Sequence, residues 1–68
     1  MINVELVKQR LNELNLKQSD VANALDVAQP TANQKLNRIR PLSLDEAEKL
    51  ATLLQISPDE FGKYFFAS

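Results

Sequence analysis

In the stretch "QSDVANALDVAQPTANQKL", from Gln18 to Leu36, only Asp26, Val27 and Ala28 separate two apolar patterns of helical period. Val21, Ala22 and Leu25 fall on one side of the first pattern, and Ala32 and Leu36 lie four apart in the second. A connection that short is a tight turn and nothing else, so the two helices must pack directly on each other. Ala22 and Ala32 supply the small side chains such a contact needs. Pro30 fits the second helix because its first-turn amides have no intrahelical acceptor.

The same period recurs on both sides of this pair. Asn3 is a plausible N-cap for a first helix carrying Val4, Val7, Leu11 and Leu14 on one stripe. Asn15 can end that helix in a left-handed conformation, with Leu16 as an apolar anchor. The segment "RIRP" breaks the third helix before Pro41. Ser43 and Glu46 form a capping box for a fourth helix with Leu44, Ala47, Leu50, Ala51 and Leu54 facing inward. Ser57, Pro58 and Glu60 repeat the start signal for a fifth, on which Phe61 and Phe65 are core candidates. Tyr64 and Phe66 are expected to form an exposed aromatic patch, read as a dimer contact ahead of the chain's cut end or a crystal-packing surface. No strand-like alternation is sustained. The expectation is an all-α, compact five-helix fold, a single domain over residues 1–68 with a helix-turn-helix at about residues 18–37.

Sixty-eight residues make one domain at most, and a domain of this size buries only ~60% of the surface its unfolded chain exposes. The chain has no cysteine and no histidine, which removes disulfides, thiolate metal sites and the commonest general base together. An enzyme is therefore not expected, nor a metal or cofactor. The neighbouring acids Asp45 and Glu46 sit where a helix first turn favours negative charge, so they read as dipole partners rather than catalysts. No apolar run approaches the ~20 residues that span a bilayer. The expected location is the cytoplasm of a bacterial host or its nucleoid, and the chain is read either as a full protein or as a piece of a longer one.

The net charge is −1, but it is unevenly distributed. Residues 1–40 carry Lys8, Arg10, Lys17, Lys35, Arg38 and Arg40 against Glu5, Glu13, Asp20 and Asp26. Residues 41–68 carry Lys49 and Lys63 against Asp45, Glu46, Glu48, Asp59 and Glu60. One end can thus be positive while the whole is slightly negative, and local potential is what steers a polyanion.

Two helices joined by a three- or four-residue turn are the helix-turn-helix unit, whose second helix enters the DNA major groove. Such a unit needs apolar residues that pin it to a third helix, here Val21, Leu25, Val27 and Leu36. It also needs polar residues on the free face of the second helix, here Gln29, Thr31, Asn33, Gln34 and Lys35. "LKQSDVANALDVAQPTANQKLN" followed by "RPLSLDEAEKLATLLQISPDEF" resembles the lambda-repressor-like helix-turn-helix domains: phage repressors, Cro-type proteins and bacterial XRE-type regulators. The resemblance covers roughly Val4 to Phe65. It is most specific at Gln18, Val21–Ala22, Val27, Gln29 and Leu36–Asn37.

The resemblance implies that Gln18 contacts a DNA phosphate and braces Gln29. Gln29 would then read a base, and a glutamine amide can pair bidentately with adenine N6 and N7. Pro30 would offer only apolar contact, while Asn33 and Gln34, one turn on, are the next base-contacting candidates. Lys17, Lys35, Arg38 and Arg40 would contact phosphates, which gives affinity without sequence information. The chain departs from the family at four positions. Asp26 stands where the turn usually has glycine, Lys17 and Ala28 where serine or threonine often caps, and Arg38 where glycine often follows the third helix. The implied function is a sequence-specific regulator of phage repressor or Cro type that binds double-stranded operator DNA as a homodimer, stable, weak or DNA-induced. The alternative is a protein-interaction module on the same fold, an antirepressor or antitoxin-like partner of another regulator.

Overall fold

The computed structural model describes residues 1–66; the last two lie outside the description. Among the described residues there are five helices, α1 (Val4–Glu13), α2 (Gln18–Leu25), α3 (Gln29–Leu36), α4 (Leu44–Leu53) and α5 (Pro58–Phe65), and no strand. Asn3 caps α1, its Oδ1 accepting from the Leu6 amide at 3.1 Å. Its own amide donates to the Tyr64 carbonyl at 2.7 Å, which ties the start of α1 to α5.

Four helices end in the same way. Asn15, Asp26, Arg38 and Gln55 adopt the left-handed conformation, with φ between 56° and 65°. The amide after each reaches back five residues: Leu16 to Leu11, Val27 to Ala22, Ile39 to Gln34 and Ile56 to Ala51, at 2.8–3.0 Å. This satisfies carbonyls that a helix end leaves open, and it usually recruits glycine. The chain's one glycine, Gly62, occupies none of these positions. Asn and Asp tolerate the conformation; for Arg38 and Gln55 it carries a steric cost of about 1–2 kcal/mol.

The core contains Val7, Leu11, Val21, Ala22, Leu25, Ala32, Leu36, Ala47, Leu50, Leu54 and Phe65, all buried. Leu36, Leu50 and Leu54 are its largest fully enclosed side chains. α2 packs against both α3 and α4, and α1 against α5. The C-terminal end of α4 is closed by Arg10 of α1, whose Nε donates to the Leu54 carbonyl at 2.9 Å, a cation placed at the negative end of the helix.

Three expectations are corrected. Tyr64 is buried, at 8% exposure, not part of an exposed patch with Phe66. Residues three and four apart share a helix face, so Phe61, Tyr64 and Phe65 all turn toward the core side, and Phe66 alone stays out at 64%. Leu44 is exposed rather than inward, because it lies at the first position of α4, ahead of the turn that meets the core. The Ser57 cap is incomplete: its hydroxyl donates to Glu60 Oε1 at 3.4 Å and accepts no backbone amide. The capping box at Ser43 forms in full, with Ser43 Oγ accepting from the Glu46 amide at 3.1 Å and the Ser43 amide donating to Glu46 Oε1 at 3.0 Å.

Candidate nucleic-acid interface

The pair α2–α3 is joined by Asp26, Val27 and Ala28. Asp26, at φ 56°, takes the backbone conformation in which glycine would be cheapest, so the tight turn forms without glycine. Val21, Ala22 and Leu25 of α2 meet Ala32 of α3 in the core, and both alanines are buried. The contact surfaces of the two helices are thus small and apolar, and α3 turns a polar face outward. Gln29 and Pro30 are exposed, and Thr31, Asn33 and Gln34 are half-buried.

α3 differs electrostatically from every other helix. Each of α1, α2, α4 and α5 has at least one acid in its first turn: Glu5, Asp20, Asp45 with Glu46, and Asp59 with Glu60. α3 has none there, and "QPTANQKL" contains no acid at all. Its N-cap, Ala28, has no side-chain acceptor, and Pro30 lacks an amide hydrogen. The positive end of the α3 dipole is therefore neutralised by no side chain of its own helix.

Gln18 is exposed at the start of α2, beside α3. Its Nε2 donates to Asn33 Oδ1 at 3.2 Å, so the brace between the two helices runs to Asn33 rather than to Gln29. Asn33 stands one turn beyond Gln29 on the same face, and its Oδ1 is held there by Asn37 Nδ2 at 2.8 Å. Gln29 has no side-chain hydrogen bond among the described residues.

The basic residues divide into two groups. Lys17 and Arg40 are exposed, with no side-chain partner among the described residues. Lys35 is committed elsewhere: its ammonium lies 2.9 Å from Glu46 Oε1 and 3.2 Å from the Pro41 carbonyl, and only 14% of its side chain is exposed. Lys35 thus joins α3 to the cap of α4 rather than standing on the free face. Arg38 is exposed, but its Nε donates to the Ile2 carbonyl at 2.9 Å, which fixes the N-terminal segment to the end of α3. The amide of Ser43, first, and the Lys35 ammonium together hold the Glu46 carboxyl below its ordinary pKa against the opposing effect of burial.

Lys8 has a role that the charge pattern of the sequence does not signal. Its ammonium donates to Asn37 Oδ1 at 3.1 Å, which links α1 to the C-terminal end of α3. The two residues are 29 apart in the chain, and no local pattern announces such a pair.

The exposed apolar residues Met1, Ile39, Leu44 and Phe66 line one groove between the chain's start, the α3–α4 connection and the end of α5, where Arg38 and Arg40 also stand. Among the described residues no cluster of acids could hold a metal ion, and no helix is long and apolar enough to cross a membrane.

Comparison with known proteins gives one result. The family model for helix-turn-helix domains matches residues 7–61, which takes in α2, α3, their turn and α4. No curated protein and no solved structure matches the chain. Since the match spans most of the sequence, the chain belongs to the XRE and lambda-repressor-like helix-turn-helix family, a family of DNA-binding transcription regulators.

Proposed function

We propose that this chain is a sequence-specific transcription regulator of the phage repressor or Cro type, reading an operator half-site with α3 in the major groove. The observation that carries the reading is the acid-free, amide-bearing face of α3, among the described residues the one helix with no acid in its first turn. A polyanion supplies the missing charge. Gln29, with both ends of its amide unengaged, is the adenine reader. Pro30 offers a flat apolar contact suited to a thymine methyl, and Gln34 is a further base contact. Gln18, Lys17 and Arg40 contact phosphates, and Arg38 does so with the part of its guanidinium not bonded to Ile2. Lys35 drops out of the phosphate set because its charge is matched by Glu46.

The folded chain measures 29 Å along its longest axis, less than the ~34 Å between half-sites one helical turn apart, so one copy covers one half-site. The reading therefore includes a homodimer. The exposed strip of Met1, Ile39, Leu44 and Phe66 supports it, since apolar side chains gathered on one face favour a protein contact. It also includes a cytoplasmic, nucleoid-associated location, with no cofactor and no catalysis. The same apolar strip is the observation that favours the second reading, a module that binds another regulator.

Selection of bound sequences from random duplex DNA, repeated with Gln29→Ala, separates the two. The DNA reading expects a palindromic site whose preference relaxes at one position in the mutant, at a cost of about 1–3 kcal/mol. Uniform weak binding with no enriched sequence would leave the protein-partner reading standing instead.

A further inference from the structure

Four polar side chains from three helices form one continuous ladder. Lys8 Nζ of α1 donates to Asn37 Oδ1 at 3.1 Å. Asn37 Nδ2 donates to the Asn33 carbonyl and to Asn33 Oδ1, each at 2.8 Å. Gln18 Nε2 of α2 donates to the same Asn33 Oδ1 at 3.2 Å.

An isolated amide side chain can turn end for end and exchange its donor for its acceptor. These cannot. An ammonium only donates and a backbone carbonyl only accepts. Lys8 therefore requires the oxygen of Asn37 on its side, and the Asn33 carbonyl requires the nitrogen on the other. With Asn37 fixed, the group facing its nitrogen on Asn33 must be Oδ1, and Gln18 must present Nε2 to that same oxygen. The sense of all three amides is set at Asn37.

The consequence falls on Asn33. Both lone pairs of its Oδ1 are occupied, by Asn37 and by Gln18, while its Nδ2 makes no bond among the described residues. Bidentate reading of adenine needs an oxygen that accepts from N6 and a nitrogen that donates to N7. Asn33 has only the donor to give.

We propose that Asn37, its sense fixed by the Asn33 carbonyl with Lys8 on its other side, is a positioning residue that holds Asn33 as a donor-only group, so that it favours an acceptor edge, guanine O6 and N7 or thymine O4, over adenine, which can accept from it only at N7. The proposal rests on α3 being the DNA-reading helix. It divides the recognition face chemically: Gln29 keeps both halves of its amide, and Asn33 keeps one.

Two measurements test it. The first needs no DNA. In nitrogen-labelled protein, Asn37→Ala should shift the side-chain amide signals of both Asn33 and Gln18, although Gln18 bonds Asn33 and not Asn37, while Lys8→Met, which leaves the Asn33 carbonyl to orient Asn37, should leave Asn33 and Gln18 near their original positions. A change confined to Asn33 in Asn37→Ala would show that the ladder does not transmit orientation and would overturn the proposal. The second repeats the DNA selection with Asn37→Ala, which frees one lone pair of Asn33 without removing a group assigned to DNA. Preference at the base read by Asn33 should move toward adenine by roughly five-fold or more, with other positions unchanged. An even loss of affinity at all positions would mark Asn37 as merely structural and would also overturn it. If wild-type protein enriches no sequence, the DNA reading fails, and the amide signals decide the ladder on their own.

Discussion

α3 and α4 are built on opposite principles. α4 supplies most of what a helix needs locally: a complete capping box at Ser43, acids at Asp45 and Glu46, and an Asp45–Lys49 pair at 3.3 Å. α3 has an alanine for an N-cap, no acid and a proline in its first turn, and an arginine in the left-handed position just past its end. Few of its own side chains argue for a helix. Its form is imposed by burial of Ala32 and Leu36 and by the Lys35–Glu46 pair that hitches it to the cap of α4. The difference shows where function overrides local stability. Acids that would stabilise α3 would repel a phosphate backbone, so the helix does without them and takes its stability from its neighbours.

Removing what holds α3 should therefore have the largest effect. Leu36→Ala deletes a fully enclosed side chain and should cost about 2–5 kcal/mol. For a domain of this size that is a large part of the total stability, and thermal unfolding followed by circular dichroism should show it as a large drop in Tm. The same truncation at Leu44, on α4 but 59% exposed, should change stability by under about 1 kcal/mol. Equal losses at the two sites would contradict the packing described.

Caps give the next contrast. Ser43→Ala should cost about 0.5–2 kcal/mol, while Ala28→Ser, which gives α3 the cap it lacks, should gain a comparable amount. If neither moves the midpoint of urea unfolding, the two helices do not differ in the way claimed.

Glu46 links the two helices and should make that link sensitive to acid. Its carboxyl is held below the ordinary value by the Ser43 amide and by Lys35. A depressed folded pKa contributes stability that is fully present above the unfolded value and is lost as pH falls through the folded one. Stability should therefore decline on acidification below the ordinary carboxylate range. Glu46→Gln should flatten that part of the decline while lowering stability at neutral pH. A mutant whose acid limb matches the wild type would place the titration elsewhere.

The smallest effect expected is at Gln55, which holds a left-handed φ of 56° without a side-chain reason. Gln55→Gly should stabilise by about 0.5–1 kcal/mol, the relief of steric cost less the added freedom of the unfolded chain. A loss of stability would mean that the Gln55 side chain contributes more than its conformation costs.

Much of this was legible in the sequence, because it is written in local patterns. The capping box at Ser43, the three-residue turn at Asp26–Ala28 and the left-handed ends at Asn15 and Asp26 each depend on residues within one turn of one another. The positions missed depend on groups far apart in the chain. Lys35 carries a charge like any other on a helical pattern, and only the approach of Glu46 from α4 takes it off the free face. The family likeness pairs Gln18 with Gln29, but Gln18 bonds Asn33 Oδ1, which Asn37 also holds. Tyr64 departs from its expected exposure for a different reason. It lies three residues after Phe61, and on a short helix one face takes in both i+3 and i+4.

The central claim, that the uncompensated start of α3 faces DNA, is tested most directly by Gln29→Glu. An acid in the first turn should stabilise the free protein by about 0.3–1 kcal/mol through the helix dipole. It should also weaken binding to the selected operator by at least ~10-fold, because it replaces a base-reading amide and repels the phosphates. Measured together, Tm should rise while affinity falls. A variant that is stabilised and binds DNA as tightly as the wild type would show that α3 does not present this end to the duplex.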